Sequence, residues 1–177
     1  MTGLDATSDT ILQIACFVTD YNLNILDDKG FEVVIHHEKE ALDRMGEWCI
    51  QHHGESGLTE AALRSNITPD QAAADLLSYV QTYVPKTRSA LLAGNTVHMD
   101  KEFLKKGPYG KVIDYLHYRM LDVSSIKEAA RRWAPIHVLQ NAPEKRKLHT
   151  AKEDILESIE EAKYYQMVFF ADRPLGG

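Results

Sequence analysis

Two carboxylates and a histidine sit where a chain most readily builds a reactive site. Asp100 falls one turn into a helix that follows a short apolar run. Asp154 falls in the first turns of the last long helix, and His149 lies just outside it. The segment His149-Thr150-Ala151-Lys152-Glu153-Asp154 opens that helix with a capping box, in which Thr150 caps one free backbone N–H and Glu153 reaches back to another. A loop histidine has room to swing, whereas a helix carboxylate is held. One mobile base beside a fixed carboxylate suits metal-assisted hydrolysis: hard cations take carboxylate oxygens, and a near-neutral imidazole accepts a proton from water. The alternative reading of the same residues is an ordinary capped surface helix, since each carboxylate taken singly also fits a solvated position.

The elements that must hold these groups alternate between strand and helix. Ile11 to Thr19 and Phe31 to Ile35 are apolar and β-branched and read as a strand pair, with turn chemistry over Asp20 to Asn24. Glu38 to Cys49 has helical spacing, and His52 to Gly57 reads as a loop. Thr68-Pro69-Asp70-Gln71 is a helix start with a cap, a proline at the first position and a box glutamine. That helix carries an apolar face of Ala72, Ala73, Leu76, Leu77, Val80 and Tyr83 and stops at Pro85. Ala90 to Ala93 is a short buried strand leading to Gly94-Asn95. The helix bearing Asp100 is broken at Gly107-Pro108, and Val112 to Leu116 forms a short helix. Tyr118 to Val123 is a further strand, and Ser125-Ile126-Lys127-Glu128 is a capping box that opens a helix to Trp133. Ala134 to Lys147 is a loop, and the last helix runs from about Thr150 to Phe170. This order predicts one α/β domain over 1–177 with a central mixed β-sheet flanked by helices.

The bulk properties narrow the partners. The chain has 177 residues, 44% hydrophobic and 26% charged, with a formal net charge of −6. A protein that tracks long nucleic acid shows a basic balance, so any nucleic-acid ligand should be short and locally held. The two cysteines, Cys16 and Cys49, lie among apolar neighbours and read as buried reduced thiols of an intracellular protein. No run is long enough to span a bilayer and no signal peptide is visible.

A family resemblance rests on several motifs in one order. Gly94-Asn95-Thr96-Val97-His98-Met99-Asp100-Lys101-Glu102-Phe103-Leu104 resembles the second exonuclease motif of the DEDDh 3′-to-5′ exonucleases, and His149 to Asp154 resembles the third. The stretch from His117 to Glu128, with Arg131-Arg132-Trp133, resembles one branch of that family, oligoribonuclease. Met1-Thr2-Gly3-Leu4-Asp5 and Ile11-Leu12-Gln13-Ile14-Ala15 fit the same branch. The resemblance implies a ribonuclease-H-like fold and a homodimeric hydrolase that trims very short RNA to mononucleotides with Mg²⁺ or Mn²⁺. It implies that Asp100 and Asp154 ligate metal and that His149 is the general base. It also implies that Leu4 wedges between the two bases and that Trp48 stacks on one of them. Asn95 and Thr96 would meet the 3′-end sugar or phosphate. Arg119 and Ser124 would cap the 5′ phosphate with Ser125 and Lys127 beside them, and Tyr118 would reach the partner subunit's site.

Read without the resemblance, Trp48 fits a core aromatic, Tyr118 and Arg119 fit edge-strand packing, and the pairs His36-His37 and His52-His53 fit surface positions. The Tyr164-Tyr165 and Phe169-Phe170 stripe fits core or dimer contact. The family's first motif, D-x-E before M-T-G-L-D, is not among the 177 residues, because that methionine is Met1. The sequence therefore reads as an exonuclease domain whose first strand is missing, through a start at an internal methionine or through real loss. Weak metal binding and little turnover are expected of the chain as written. Two other functions fit the same residues: a catalytically silent nucleotide-binding dimer, and a DEDDh exonuclease acting on longer DNA or RNA. The expected compartment is cytoplasm or mitochondrion, with no membrane and no long nucleic acid as partner.

Overall fold

A computed structural model describes residues 1–144 and 151–171. Strand β1 (Gln13–Cys16) pairs antiparallel with β2 (Phe31–Val34), Gln13 opposite Val34 and Cys16 opposite Phe31. Both strands are shorter than their apolar runs. Ile11 and Leu12 lie just before β1 with buried side chains, the Leu12 carbonyl still accepting the Ile35 N–H at 2.8 Å, and past Cys16 the chain turns at Asp20, whose carboxylate accepts the backbone N–H groups of Asn22 and Asn24. Two short helices follow, α1 (Lys39–Leu42) and α2 (Glu47–Glu55), and then α3 (Leu58–Arg64). The single helix expected over Glu38 to Cys49 is thus split at Asp43–Gly46. The loop expected over His52 to Gly57 is mostly helical, ending at Gly57, whose φ of 74° suits glycine's freedom in the left-handed region.

Helix α4 (Pro69–Tyr83) begins as its sequence dictates, with Thr68 Oγ1 accepting from Gln71 N at 3.2 Å. Ala72, Ala73, Leu76 and Val80 of its predicted face are buried, while Leu77 and Tyr83 are half-buried. It stops before Pro85 because the residue preceding a proline is pushed out of helical geometry. Strand β3 (Leu92–Gly94) pairs in parallel with β4 (Met120–Asp122), Gly94 opposite Asp122. Helices α5 (Val97–Leu104) and α6 (Gly110–Tyr115) lie between them, joined by a 3₁₀ turn at Gly107–Tyr109. After β4 come α7 (Val123–Trp133), α8 (Ile136–Gln140) and α9 (Ala151–Phe170).

Three expectations change here. Among the described residues the strands form two separate ladders, one antiparallel and one parallel, rather than a single sheet. Helix α9 packs against both β1 and β3 and so links the two pairs. The strand expected to be buried at Ala90 to Ala93 exposes Leu91 and Ala93, because its ladder has a partner on one side only. The loop expected between Ala134 and Lys147 contains α8, which starts directly after Pro135, a residue suited to precede a helix.

Four apolar clusters hold these elements. Ile11, Ile35, Ala72, Ala73, Phe103 and Tyr109 join the antiparallel pair to α4 and α5. Leu12, Leu42, Met45 and Ala62 fix α1 and α3 beneath β2. Leu76, Val80 and Val112 bind α4 to α6. Val123, Ala130, Val138, Ala162 and Tyr165 lock α7, α8 and α9 together. Leu12 and Ile35 are wholly buried, and each such side chain contributes about 1.5–3 kcal/mol. Cys16 and Cys49 are free and half-buried, and burial pushes the Cys16 thiol up to about 11, so it stays protonated and inert near neutral pH.

Candidate active site

Parallel strands leave a crevice at their carboxyl ends, where loops can converge. Here β3 ends at Gly94 and β4 at the facing Asp122, so the segments that follow both strands start side by side. Gly94 has a φ of 155°, and Thr96 takes a left-handed φ of 56°, uncommon for a β-branched residue. That sharp turn aims α5 away from the sheet and places Asp100 in its first turn.

Asp122 organises this end. Its Oδ1 accepts the backbone N–H of Thr96 at 3.0 Å and that of Ser124 at 2.9 Å. The same Thr96 N–H also points at Ser124 Oγ at 3.0 Å, and the Thr96 and Ser124 hydroxyls lie 3.2 Å apart. Asp122 Oδ2 lies 3.4 Å from His98 Nδ1. The cap of α7 is therefore Asp122, not Ser125 as the Ser125-x-x-Glu128 pattern suggests; Ser125 is exposed within the helix's first turn. Asp100 is half-buried, and burial pushes its carboxyl above the usual range, with the negative Asp122 adding to the effect.

Behind the strand ends lies a buried ionic cluster. Glu161 of α9 is only 3% exposed and meets Lys127 Nζ of α7 at 2.9 Å. It also accepts from Asn95 Nδ2 at 2.9 Å and from the Tyr165 hydroxyl at 3.4 Å. The Asn95 side-chain oxygen is buried without a hydrogen-bond partner. Asn95 and Lys127, both singled out in the sequence, are thus tied to α9 through one carboxylate.

The other singled-out residues lie on separate elements. Leu4 is 81% exposed, at the tip of a loop closed by Asp9. Asp9 accepts Thr2 Oγ1 at 2.9 Å and Asp5 N at 3.0 Å. A Cβ on Gly3 would overlap the Asp9 carboxylate, so the turn requires glycine. Trp48 is 64% exposed and stacks on His52 with ring centroids 3.9 Å apart, which places it on the surface of α2 rather than in the core. His53, on the same helix, lies 2.9 Å from the Met1 carbonyl oxygen and ties α2 to the Leu4 loop. Tyr118 and Arg119 are exposed in the segment before β4, the guanidinium 5.3 Å from the tyrosine ring centroid. Lys101 Nζ anchors that segment on the Tyr118 carbonyl at 2.8 Å. Asp154 is exposed in the first turn of α9. His149 and Thr150, the latter expected from the sequence to cap α9, lie outside the described residues.

The sequence reading passed over Asp122, Glu161 and Asp9. Glu161 had a signal: it shares the i, i+3, i+4, i+7 stripe with Ser158, Ala162 and Tyr165, all buried. Asp9 and Asp122 offered none, since each gains its meaning from groups distant along the chain.

Asp100 is half-buried, with a carboxyl that burial makes reluctant to ionise, and a nearby cation would favour its charged form. Among the described residues no group of three or more His, Cys, Asp or Glu side chains gathers to hold a metal ion.

Comparison with known proteins supplies the lineage. The pattern described as exonuclease matches residues 1–162. The chain is 46% identical over 171 residues to the mitochondrial oligoribonuclease of Saccharomyces cerevisiae, covering 93% of this chain and 63% of that protein. It is 45% identical over 170 residues to the mitochondrial oligoribonuclease of Homo sapiens, covering 96% and 70% respectively. With the oligoribonuclease of Mycobacterium sp. (strain KMS) the identity is 45% over 174 residues, covering 98% of this chain and 80% of the other. The chain thus spans less than two thirds of the length of the first of these relatives.

Proposed function

Because the chain belongs to the exonuclease family, in its oligoribonuclease branch, we propose that it is a 3′-to-5′ exoribonuclease acting on RNA of about two nucleotides as a single domain. The observation that carries this reading is the convergence of Asp100, Thr96 and Ser124 at the paired ends of β3 and β4. A carboxylate for a cation and two hydroxyls for one phosphate meet there, the second hydroxyl at a helix start, and a helix N-terminus favours an anion.

In this reading Leu4 and Trp48 hold the bases by wedging and stacking, which costs no sequence preference because every base has a π-face. Their exposure leaves both free to meet a ligand. Asn95 orients the 3′ end, and the Thr96 hydroxyl, 3.2 Å from that of Ser124, shares the group that Ser124 holds. Arg119, with Ser124, Ser125 and Lys127 nearby, receives the 5′ phosphate, and a guanidinium matches that group bidentately. A closed 5′ end excludes long strands, which agrees with the net charge of −6. Asp100 and Asp154 would hold Mg²⁺ or Mn²⁺, which when bound supplies charge stabilisation at the phosphate oxygens. His149 takes the proton of the attacking water.

A second copy of the chain completes the unit. Met167, Phe169 and Phe170 on the last turns of α9, with Trp133 and Ile136 at the α7–α8 junction, are exposed apolar side chains of the kind that dimer interfaces cover. Tyr118, exposed before β4, reaches toward the other protomer's site. The proposed compartment is mitochondrion or cytoplasm, the former after the names of the yeast and human relatives. Among the described residues no helix is long and apolar enough to cross a membrane.

The test is a length series. A 5′-phosphorylated dinucleotide and a series of longer RNAs, up to about seven nucleotides, are incubated with the chain and Mn²⁺. The reading expects binding to be strongest at two nucleotides and any cleavage to follow the same order of lengths. Preference for the longer strands would overturn it in favour of an exonuclease for long substrates. Dinucleotide binding with no cleavage would instead leave a silent nucleotide-binding dimer.

A further inference from the structure

Glu161 is a buried carboxylate that the reaction set out above leaves unused. It projects from α9 and takes donors on both of its oxygens. Oε1 lies 2.9 Å from Lys127 Nζ and 3.4 Å from the Tyr165 hydroxyl, and Oε2 lies 2.9 Å from Asn95 Nδ2. Burial, with the negative Glu161 beside it, pushes the Tyr165 hydroxyl up to about 12, so it remains a donor at neutral pH. A carboxylate paired with an ammonium group only accepts. The Asn95 amide therefore turns its nitrogen to Glu161, because the reverse would set two acceptors face to face. The two amide atoms diverge from one carbon, so the oxygen points elsewhere. That oxygen is buried without a hydrogen-bond partner. Buried acceptors in folded proteins are nearly always satisfied, so this one calls for a donor. Asn95 stands in the turn that ends β3, next to the exposed Thr96, so the segment that carries it lies at the surface.

We propose that Glu161 is a positioning residue that fixes the Asn95 carboxamide oxygen as the acceptor for a sugar hydroxyl at the 3′ end of the substrate. A ribose hydroxyl donates to such an oxygen, whereas an ionised phosphate brings acceptors only. Glu161 need not touch RNA. It acts from behind, through the orientation of one amide. Lys127 holds the same carboxylate from α7, so α7, α9 and the turn after β3 meet at one group. This inference rests on the assignment of Asn95 to the 3′ end made above.

The experiment measures binding of two 5′-phosphorylated dinucleotides to the full chain in EDTA, where hydrolysis does not intervene. One ends in an ordinary ribose and the other in a 2′,3′-dideoxy sugar. The unaltered chain should favour the ribose end by about tenfold, the scale of one hydrogen bond. Asn95→Ala should abolish that ratio. Glu161→Gln keeps the shape but offers Asn95 an N–H as well as an oxygen, so the amide can reverse, and the ratio should fall toward one. In the double variant Glu161→Gln should add nothing to the loss of ratio caused by Asn95→Ala, because it acts through that residue. A merely structural role for Glu161 would weaken both ligands together and leave the ratio as it was, which overturns the inference. Should Glu161→Gln not fold, Lys127→Met combined with Glu161→Met removes both buried charges at once, a change that cores tolerate better than a stranded charge. A full ratio in that variant overturns the inference equally. If the unaltered chain binds both dinucleotides alike, this inference falls and the substrate reading stands. If it binds neither, the substrate reading falls and takes this inference with it.

Discussion

Asp100 illustrates how a single side chain can be placed against its own stability. Burial raises its carboxyl above the ordinary aspartate range, so ionisation at neutral pH is less favourable in the folded chain than in the unfolded one. This cost is absent below the unfolded value, grows as pH rises toward the raised folded value and persists above it. Asp100→Asn should therefore raise Tm at pH 7 by about 2 °C, an increment typical of relieving a fraction of a kcal/mol to one kcal/mol in a chain of this size. The gain should vanish below the ordinary aspartate range. The same variant should lose Mn²⁺ binding in calorimetry, and a lower Tm at pH 7 would refute the buried-charge account. Lys127 tests the opposite case. It ion-pairs with the buried Glu161, so Lys127→Met removes one charge-assisted partner of that carboxylate and should lower unfolding free energy in urea by about 2 kcal/mol. A loss below half a kcal/mol would show that the cluster is solvated.

At the scale of elements, starts and stops set by neighbouring residues were legible, and those set across space were not. Thr68 caps α4 as its T-P-D-Q sequence dictates, because both partners of the bond lie within one turn. The cap of α7 was misplaced. Ser125 and Glu128 offer a local box, but Asp122 wins because its oxygen also binds Thr96 across the sheet. The α2 helix was under-read because Gly54 and two histidines suggested a loop, whereas Gln51 bonding Glu55 and His52 lying 2.8 Å from the Trp48 carbonyl oxygen support the turns. The Leu4 loop gives the clearest prediction at this scale. Gly3→Ala drives a methyl into Asp9 and should displace Leu4. Dinucleotide affinity should fall by about tenfold, comparable to losing one stacked base, and match the loss in Leu4→Ala. Wild-type affinity in Gly3→Ala would show that the Asp9 closure does not position the wedge.

For the whole molecule, the exposed apolar side chains of α7, α8 and α9 predict a self-associating protein. Trp133→Glu should convert a dimer to monomer in sedimentation velocity while leaving the circular dichroism of the monomer intact, and an unchanged sedimentation coefficient would place the interface elsewhere. The ribonuclease-H-like α/β class read from the chain holds: helices and small parallel and antiparallel strand pairs in an exonuclease-family chain. Residue order by itself determined the family and the Thr68 cap of α4, because motif spacing and a cap whose partners lie within one turn are local quantities. Only the tertiary structure decided that Glu161 is buried, that Trp48 is not, and that Asp122 ties Thr96 to Ser124. Each of these depends on which segments 20 or more residues apart become neighbours, and a one-dimensional pattern does not encode that proximity until hydrophobic burial has brought the segments together.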